Sequence, residues 1–190
     1  MICTIIGGGC GVNKVDNFIG YKIGLNYTYQ YVDVDCTVMY DNPDRLADLN
    51  PPNLHTLKHW KGDYLYNNIG SKINYTPGEV ISLNSSAIMA VNVAIHLGYT
   101  EIYLVGCENR VDEFHHFYDT EPIAEDKRKV QENIFNKFFK PMWDKVNPEK
   151  GERLIFVDSD IDRFENITIE EYNKLTPYIN DTMYNIHRSD

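Results

Sequence analysis

An α/β fold with an open, mostly parallel sheet and helices on both faces is predicted from three stretches of the sequence. The first, Ser82 to Arg110 (SLNSSAIMAVNVAIHLGYTEIYLVGCENR), reads as a capped apolar helix feeding a short strand that ends in a polar cluster. The second is Met1 to Ile6, a compact apolar strand running straight into Gly7-Gly8-Gly9-Cys10-Gly11. The third is the pair of short runs Tyr21 to Leu25 and Cys36 to Tyr40, which close on Asn26 and on Asp41-Asn42-Pro43. Short apolar runs bounded by turn residues read as buried parallel strands. In an open α/β sheet, ligands sit outside the carboxyl ends of such strands.

Taken in order, the glycine-rich turn after the first strand would let backbone approach a ligand closely and point N–H groups at an anion. It is not the GxGxxG dinucleotide fingerprint, and a tight structural turn would use the same residues. Asn26-Tyr27-Thr28-Tyr29-Gln30-Tyr31 is polar and aromatic at a strand end, where a base or sugar could be held. Asp41 and Asn42 end the third strand, as substrate contacts or as turn formers, and Pro43 stops regular structure. From Asp44 to Gly78 the periodicity weakens. Leu54, Leu57 and Trp60 suggest a short helix, Tyr64 to Tyr66 a strand, Asn67 to Pro77 a loop, and Val80 to Leu83 an extended lead-in to the central helix.

That helix has three candidate caps, Asn84, Ser85 and Ser86, whose side-chain oxygens suit an orphan backbone N–H. Ala87 to Leu97 is apolar apart from Asn92 and His96, so the helix is expected to be covered on more than one side, with His96 at a core or boundary position. Gly98 ends it as a left-handed residue. Glu101 to Val105 is the next strand, ending at Gly106. Two adjacent histidines, His115 and His116, follow among aromatics and acids, either as active-site groups or bonded to backbone. Thr120, Glu121 and Pro122 suggest a helix start. The helix is expected to reach about Lys145, with Ile134, Phe135, Phe138, Phe139 and Met142 buried on one face and a kink or early end at Pro141. Leu154 to Val157 forms a further buried strand. The acidic turn Asp158-Ser159-Asp160 reads as a helix cap or, less simply, a metal site. Thr168 and Glu171 have capping-box spacing for a last helix.

The length of 190 residues predicts one domain spanning 1–190, with enough chain to bury a real core. A net charge of −10 argues against a sequence-independent nucleic-acid binder, which needs a basic surface. No apolar run approaches the ~20 residues of a membrane span, and the short N-terminal apolar stretch ends in glycines rather than in a signal-peptide pattern. Cys3, Cys10, Cys36 and Cys107 lack CxxC spacing. Three of them fall in or beside predicted strands, as buried free thiols in a reducing cytoplasm would.

Joint motif order now points to a family. Ser85-Ser86-Ala87-Ile88-Met89 and Leu97-Gly98-Tyr99-Thr100-Glu101-Ile102-Tyr103-Leu104-Val105-Gly106 resemble the helix start, the L-G-Y-K-E-I-Y-L strand and the glycine turn of the bacterial sialyltransferases of glycosyltransferase family 42. The same module is similar to the flagellin glycosyltransferases and the hydroxymethylpterin diphosphokinases, with small phage-encoded members. Gly7 to Val12 resembles the family's G-N-G-P-S-L, Asn26 its R-C-N, and Cys36 to Pro43 its C-x-A-V-F-Y-N-P. The resemblance covers roughly the first 120 residues. It implies a Rossmann-like domain in which Gly8 and Gly9 pass under nucleotide phosphates and Asn26 contacts the phosphate or donor sugar. Ser85 and Ser86 would hold the nucleotide or sugar, and Glu108, at the family's Asp position, the ribose. His115 or His116 stands near the family's general-base histidine, a role that a neutral imidazole suits.

Departures from the pattern are specific. Gly9-Cys10-Gly11 replaces a loop with bulkier side chains, and Asn109-Arg110 replaces an aromatic pair, so that Arg110 would have to meet phosphate by charge. The reading is a metal-independent glycosyltransferase-like enzyme with a nucleotide-sugar donor, an unidentified acceptor and no cofactor. Its candidate donor site is Gly8, Gly9, Asn26, Asn42, Ser85, Ser86, Glu108 and Arg110, with His115 and His116 as candidate catalytic residues. Two alternatives are a non-catalytic nucleotide-binding or sequestering protein and a Mg²⁺-dependent diphosphokinase. The expected location is the cytoplasm, the host's for a phage-encoded chain, and self-association is left open.

Overall fold

The computed structural model of the chain describes residues 1–39, 51–52, 54–56, 85–108, 110–144, 146, 148 and 151–175. Among the described residues, seven strands form its sheet: β1 (Ile2–Ile6), β2 (Tyr21–Leu25), β3 (Cys36–Met39), β4 (Leu54–Thr56), β5 (Glu101–Val105), β6 (Arg153–Val157) and β7 (Glu165–Ile167). Their order is β4-β3-β2-β1-β5-β6-β7, and every neighbouring pair is parallel. The fold is thus the Rossmann-like α/β class expected.

The strand residues explain why both faces are covered. Along β1, β5 and β6, Cys3, Ile5, Ile102, Leu104, Leu154 and Phe156 join one buried cluster. The alternate residues Ile6, Tyr103, Val105, Ile155 and Val157 join a second cluster on the opposite face. Period-two alternation with both sets apolar is the pattern of a sheet buried on both sides. Helix α1 (Ser86–His96) covers the first face, with its residues from Ile88 to Ile95 all buried. Coverage on more than one side is therefore as expected. Ser85 is its N-cap, accepting a hydrogen bond from Ile88 N–H, and Gly98 beyond its end has φ +89. His96 lies outside the core and is exposed, because the helix ends where the chain turns to enter β5.

On the other face, helical residues 169–175 are pinned by Tyr172, which is fully buried. The Thr4 hydroxyl donates to the Ile19 carbonyl at 2.8 Å. Its single proton is thereby used, so the Tyr172 hydroxyl donates to Thr4 Oγ1 at 2.8 Å and accepts from Ile19 N–H at 3.0 Å. The capping box is present, with Thr168 and Glu171 bonded reciprocally.

Several sequence expectations are corrected. Leu54, expected in a short helix, lies in strand β4. Neither Thr120 nor Pro122 starts a helix: α2 spans Glu125–Ile134 with Ala124 as N-cap and no side-chain cap bond. Nor does α2 bury a residue. It passes into a π-helical turn (Phe135–Phe139) and then α3 (Lys140–Trp143). Pro141 has no N–H for the Lys137 carbonyl and its ring crowds that position, which accounts for the widened turn before it. The expected stripe is accordingly not buried: Phe138 is 59% exposed and Ile134, Phe135, Phe139 and Met142 are only half-buried, whereas Trp143, outside that stripe, is 2% exposed in the core. The acidic turn Asp158 to Asp160 caps no helix, since it leads to β7 through turns. Asn42, Asn109, the region expected to hold the Tyr64–Tyr66 strand, and Val80 to Leu83 lie outside the described residues.

Candidate functional site

The chain builds outward from β1 to β4, then returns to place β5 on the other side of β1. Between β1 and β5 the crossover direction reverses, so the loops leaving these strands diverge and open a crevice. A cleft of about 340 Å³ lies there, lined from the β1 loop by Gly7, Gly8 and Gly9 and from the β2 end by Leu25 and Asn26. The α1 start adds Ser85, Ser86 and Ala87, the β5 loop Gly106, Cys107, Glu108 and Arg110, and the following segment His115 and His116. Phe135, Phe139 and Trp143 close it. Every sequence-predicted site residue that the structure describes thus reaches this one cleft.

Each is held by local chemistry. Gly7 N–H donates to Val105 O and Gly9 N–H to Gly106 O, at 2.8 and 2.9 Å, continuing the β1–β5 pairing past the strand ends. Alternation leaves Gly8 N–H with no partner among the described residues, at the cleft. Gly106 has φ +70 and faces Gly7 backbone to backbone, an approach that admits no side chain. Asn26 adopts φ 52, which asparagine tolerates better than most residues, and its side-chain oxygen accepts from Ser86 Oγ at 3.1 Å. This bond ties the end of β2 to the first turn of α1.

Glu108 does not face the cleft as an open carboxylate. It is 3% exposed, and its Oε1 accepts from Gly11 N–H at 2.7 Å. A Cβ on Gly9 would overlap its other oxygen. The loop after β1 is therefore wrapped around the Glu108 carboxyl group, which leaves no room for a side chain at Gly9 or Gly11. Burial pushes the Glu108 pKa upward, opposed by hydrogen bonds from backbone N–H groups, including that of Gly11, and by Arg110.

Arg110 is bound to carboxylates. Its guanidinium donates to Asp158 Oδ2 at 2.7 Å, to the Asp158 carbonyl at 3.0 Å and to Asp112 at 3.4 Å, with Asp160 at 3.6 Å. The acidic turn after β6 thus anchors the β5 loop. Ser159 strengthens the link by donating to the carbonyls of Cys107 and Glu108. Arg110 lines the cleft with its charge already matched by acids.

His115 and His116 differ in setting. The His116 imidazole lies against Gly8, whose Cβ would come within 2.7 Å of it, and stacks on Tyr118 at 4.9 Å. Tyr118 in turn stacks on Tyr31 at 4.8 Å. His116 N–H donates to Asp119 Oδ2 at 2.8 Å, and its Nδ1 lies 3.4 Å from the same oxygen. His115 lines the cleft and also a second cavity of about 590 Å³ formed with Asp119, Glu121 to Ala124, Asp126, Lys127, Val130 and Gln131. Burial and the neighbouring His116, against the opposing pull of Asp119, lower its pKa, and this favours the neutral imidazole. The aromatic wall of Phe135, Phe139 and Trp143 was not read from sequence as site-forming. Its i, i+4, i+8 spacing was visible, but that stripe fits a core-facing helix equally well.

No protein-family profile matches the chain, and no curated protein is significantly similar to it. Among solved structures, the chain is similar to the crystal structure of the sialyltransferase CST-II in complex with trisaccharide acceptor and CMP. The identity is 15% and the TM-score 0.38, with 88% of this chain and 86% of that chain covered.

Proposed function

We propose that the protein is a glycosyltransferase-like enzyme acting on a nucleotide-sugar donor, with His115 as general base and no metal required for transfer. One observation carries the reading. A glycine loop, the start of a capped helix and a half-buried histidine meet at the sheet's switch point, and that histidine is shared by two adjoining cavities. Gly8 N–H and the first turn of α1 offer positive dipole ends to the donor's phosphate. The larger cavity beyond His115 takes the acceptor.

In the reaction an acceptor hydroxyl oxygen bonds to the anomeric carbon as the bond from that carbon to the nucleotide phosphate oxygen breaks. The hydroxyl proton passes to His115, and the electron pair leaves with the phosphate. Glu108 keeps the loop folded under the donor, and Asn26 and Ser86 brace each other beside it.

His115→Ala is expected to lower donor turnover by about 10²- to 10⁴-fold while leaving donor affinity nearly unchanged, as loss of a general base does. Release of free nucleotide from pyrimidine nucleotide sugars, followed in the presence of candidate acceptors, measures it. Turnover retained in both His115→Ala and His116→Ala would remove the histidine from the mechanism. A thermal-shift screen separates the alternatives: stabilisation by a nucleotide with no turnover marks a sequestering protein, and a strict Mg²⁺ requirement marks pyrophosphoryl transfer.

A further inference from the structure

His115, His116 and Asp119 each offer one ligand atom, and these atoms all lie within 4.8 Å of one another. Two details suit them to a shared ion. The His116 Nδ1 to Asp119 Oδ2 spacing of 3.4 Å is long for an imidazole–carboxylate hydrogen bond. It matches the roughly 3.3 Å between two ligand atoms of a tetrahedral zinc with bonds near 2.0–2.1 Å. The two imidazoles are tilted by 53° with centroids 4.0 Å apart, so their edges converge without stacking flat. All three side chains are half-buried, and the His116 ring is backed by Tyr118. A bound ion would have to draw His115 closer by rotation about its side-chain torsions.

We propose that His115, His116 and Asp119 form a binding site for a divalent transition metal of the zinc class, and that its occupation switches the active site off. Two imidazoles and one carboxylate are borderline ligands that favour Zn²⁺ over Mg²⁺ or Ca²⁺, which prefer all-oxygen shells. The switching half rests on the proposed function above. A neutral imidazole has one in-plane lone pair; when a metal takes it, the other ring nitrogen keeps its hydrogen. His115 bound to metal therefore has no site left to accept the acceptor's proton. The ion inhibits, in contrast to a catalytic metal.

Direct binding tests the site independently of any activity. Apo protein competing with a chromophoric chelator for Zn²⁺ is expected to take up one ion per chain. Affinity should fall at least tenfold in both Asp119→Ala and His116→Ala, with far-ultraviolet circular dichroism reporting that each variant is folded. Cys10→Ser should bind like the wild type, and excess Mg²⁺ should not displace the ion. No uptake by the wild type, or unchanged affinity in both variants, would overturn the site. Where the apo protein turns over donor, stoichiometric Zn²⁺ should abolish turnover and a chelator restore it. Undiminished turnover in the loaded protein would overturn the switch. An apo protein that binds zinc but turns over no donor counts against the transferase reading and leaves the metal site standing.

Discussion

Glu108 is a carboxylate enclosed by the loop it was expected to sit beside. Its position after β5 was legible from sequence, because a polar cluster following an apolar strand and a glycine marks a strand end. Its partner was not legible, since the Gly11 N–H that it accepts from is 97 residues away in the chain. Burial raises its pKa above the ordinary 4.5, so the folded state holds the proton more tightly than the unfolded one. Stability from that source is present at low pH and is lost as pH rises through the folded-state value. Glu108→Gln keeps an oxygen for Gly11 and stays neutral throughout. Its urea midpoint relative to wild type should therefore improve between about pH 4.5 and about pH 7.5. A difference that stays constant or reverses over that range would show that the carboxylate is not held against its charge.

At the scale of elements, α1 and the helical residues 169–175 contrast with α2. The first was readable because Ser85 caps it, Gly98 ends it, and apolar residues fill its length. The last was readable from its capping box, but Tyr172 as its anchor was not, because one tyrosine among 14 carries no sign of burial. Tyr172→Phe would leave the buried Ile19 N–H and the Thr4 oxygen each short of a partner. The expected cost is about 1–3 kcal/mol, measured as a fall in urea midpoint with an unchanged slope. Thr4→Val should cost less in the Phe background than alone, since the two share one network. The segment from α2 to α3 misled in the other direction. An aromatic stripe at helical spacing implies a buried face, yet the π turn before Pro141 rotates its residues, sending Phe139 to the cleft and Phe138 to solvent.

For the whole molecule, the strand order decides where a ligand can go. The β1–β5 pair lies at the centre of the sheet, flanked by buried clusters on both faces. Amide hydrogens of Ile5, Ile102 and Leu104 should be among the slowest to exchange, and those of α2, which buries no residue, among the fastest of the helical ones. Hydrogen exchange read by mass spectrometry or NMR checks this ranking; equal protection in α2 and β5 would contradict it. A nucleotide bound at the switch point should add protection around Gly8 and the start of α1, while leaving β7 at the sheet's edge unchanged.

Local chemistry in the sequence determined the strands β1, β2, β3, β5 and β6, the cap and stop of α1, and the turn positions at which Gly8, Asn26, Ser85 and Glu108 fall. These follow from short-range rules of hydrophobic period, turn residues and capping, which need no knowledge of partners. Only the tertiary structure decided that β5 returns to the side of β1, that the glycine loop closes on Glu108, that Asp158 and Asp160 hold Arg110, and that His115 separates two cavities. The physical reason is separation along the chain. These contacts join residues tens of positions apart, and their energies depend on burial and charge pairing that exist only once the sheet has assembled.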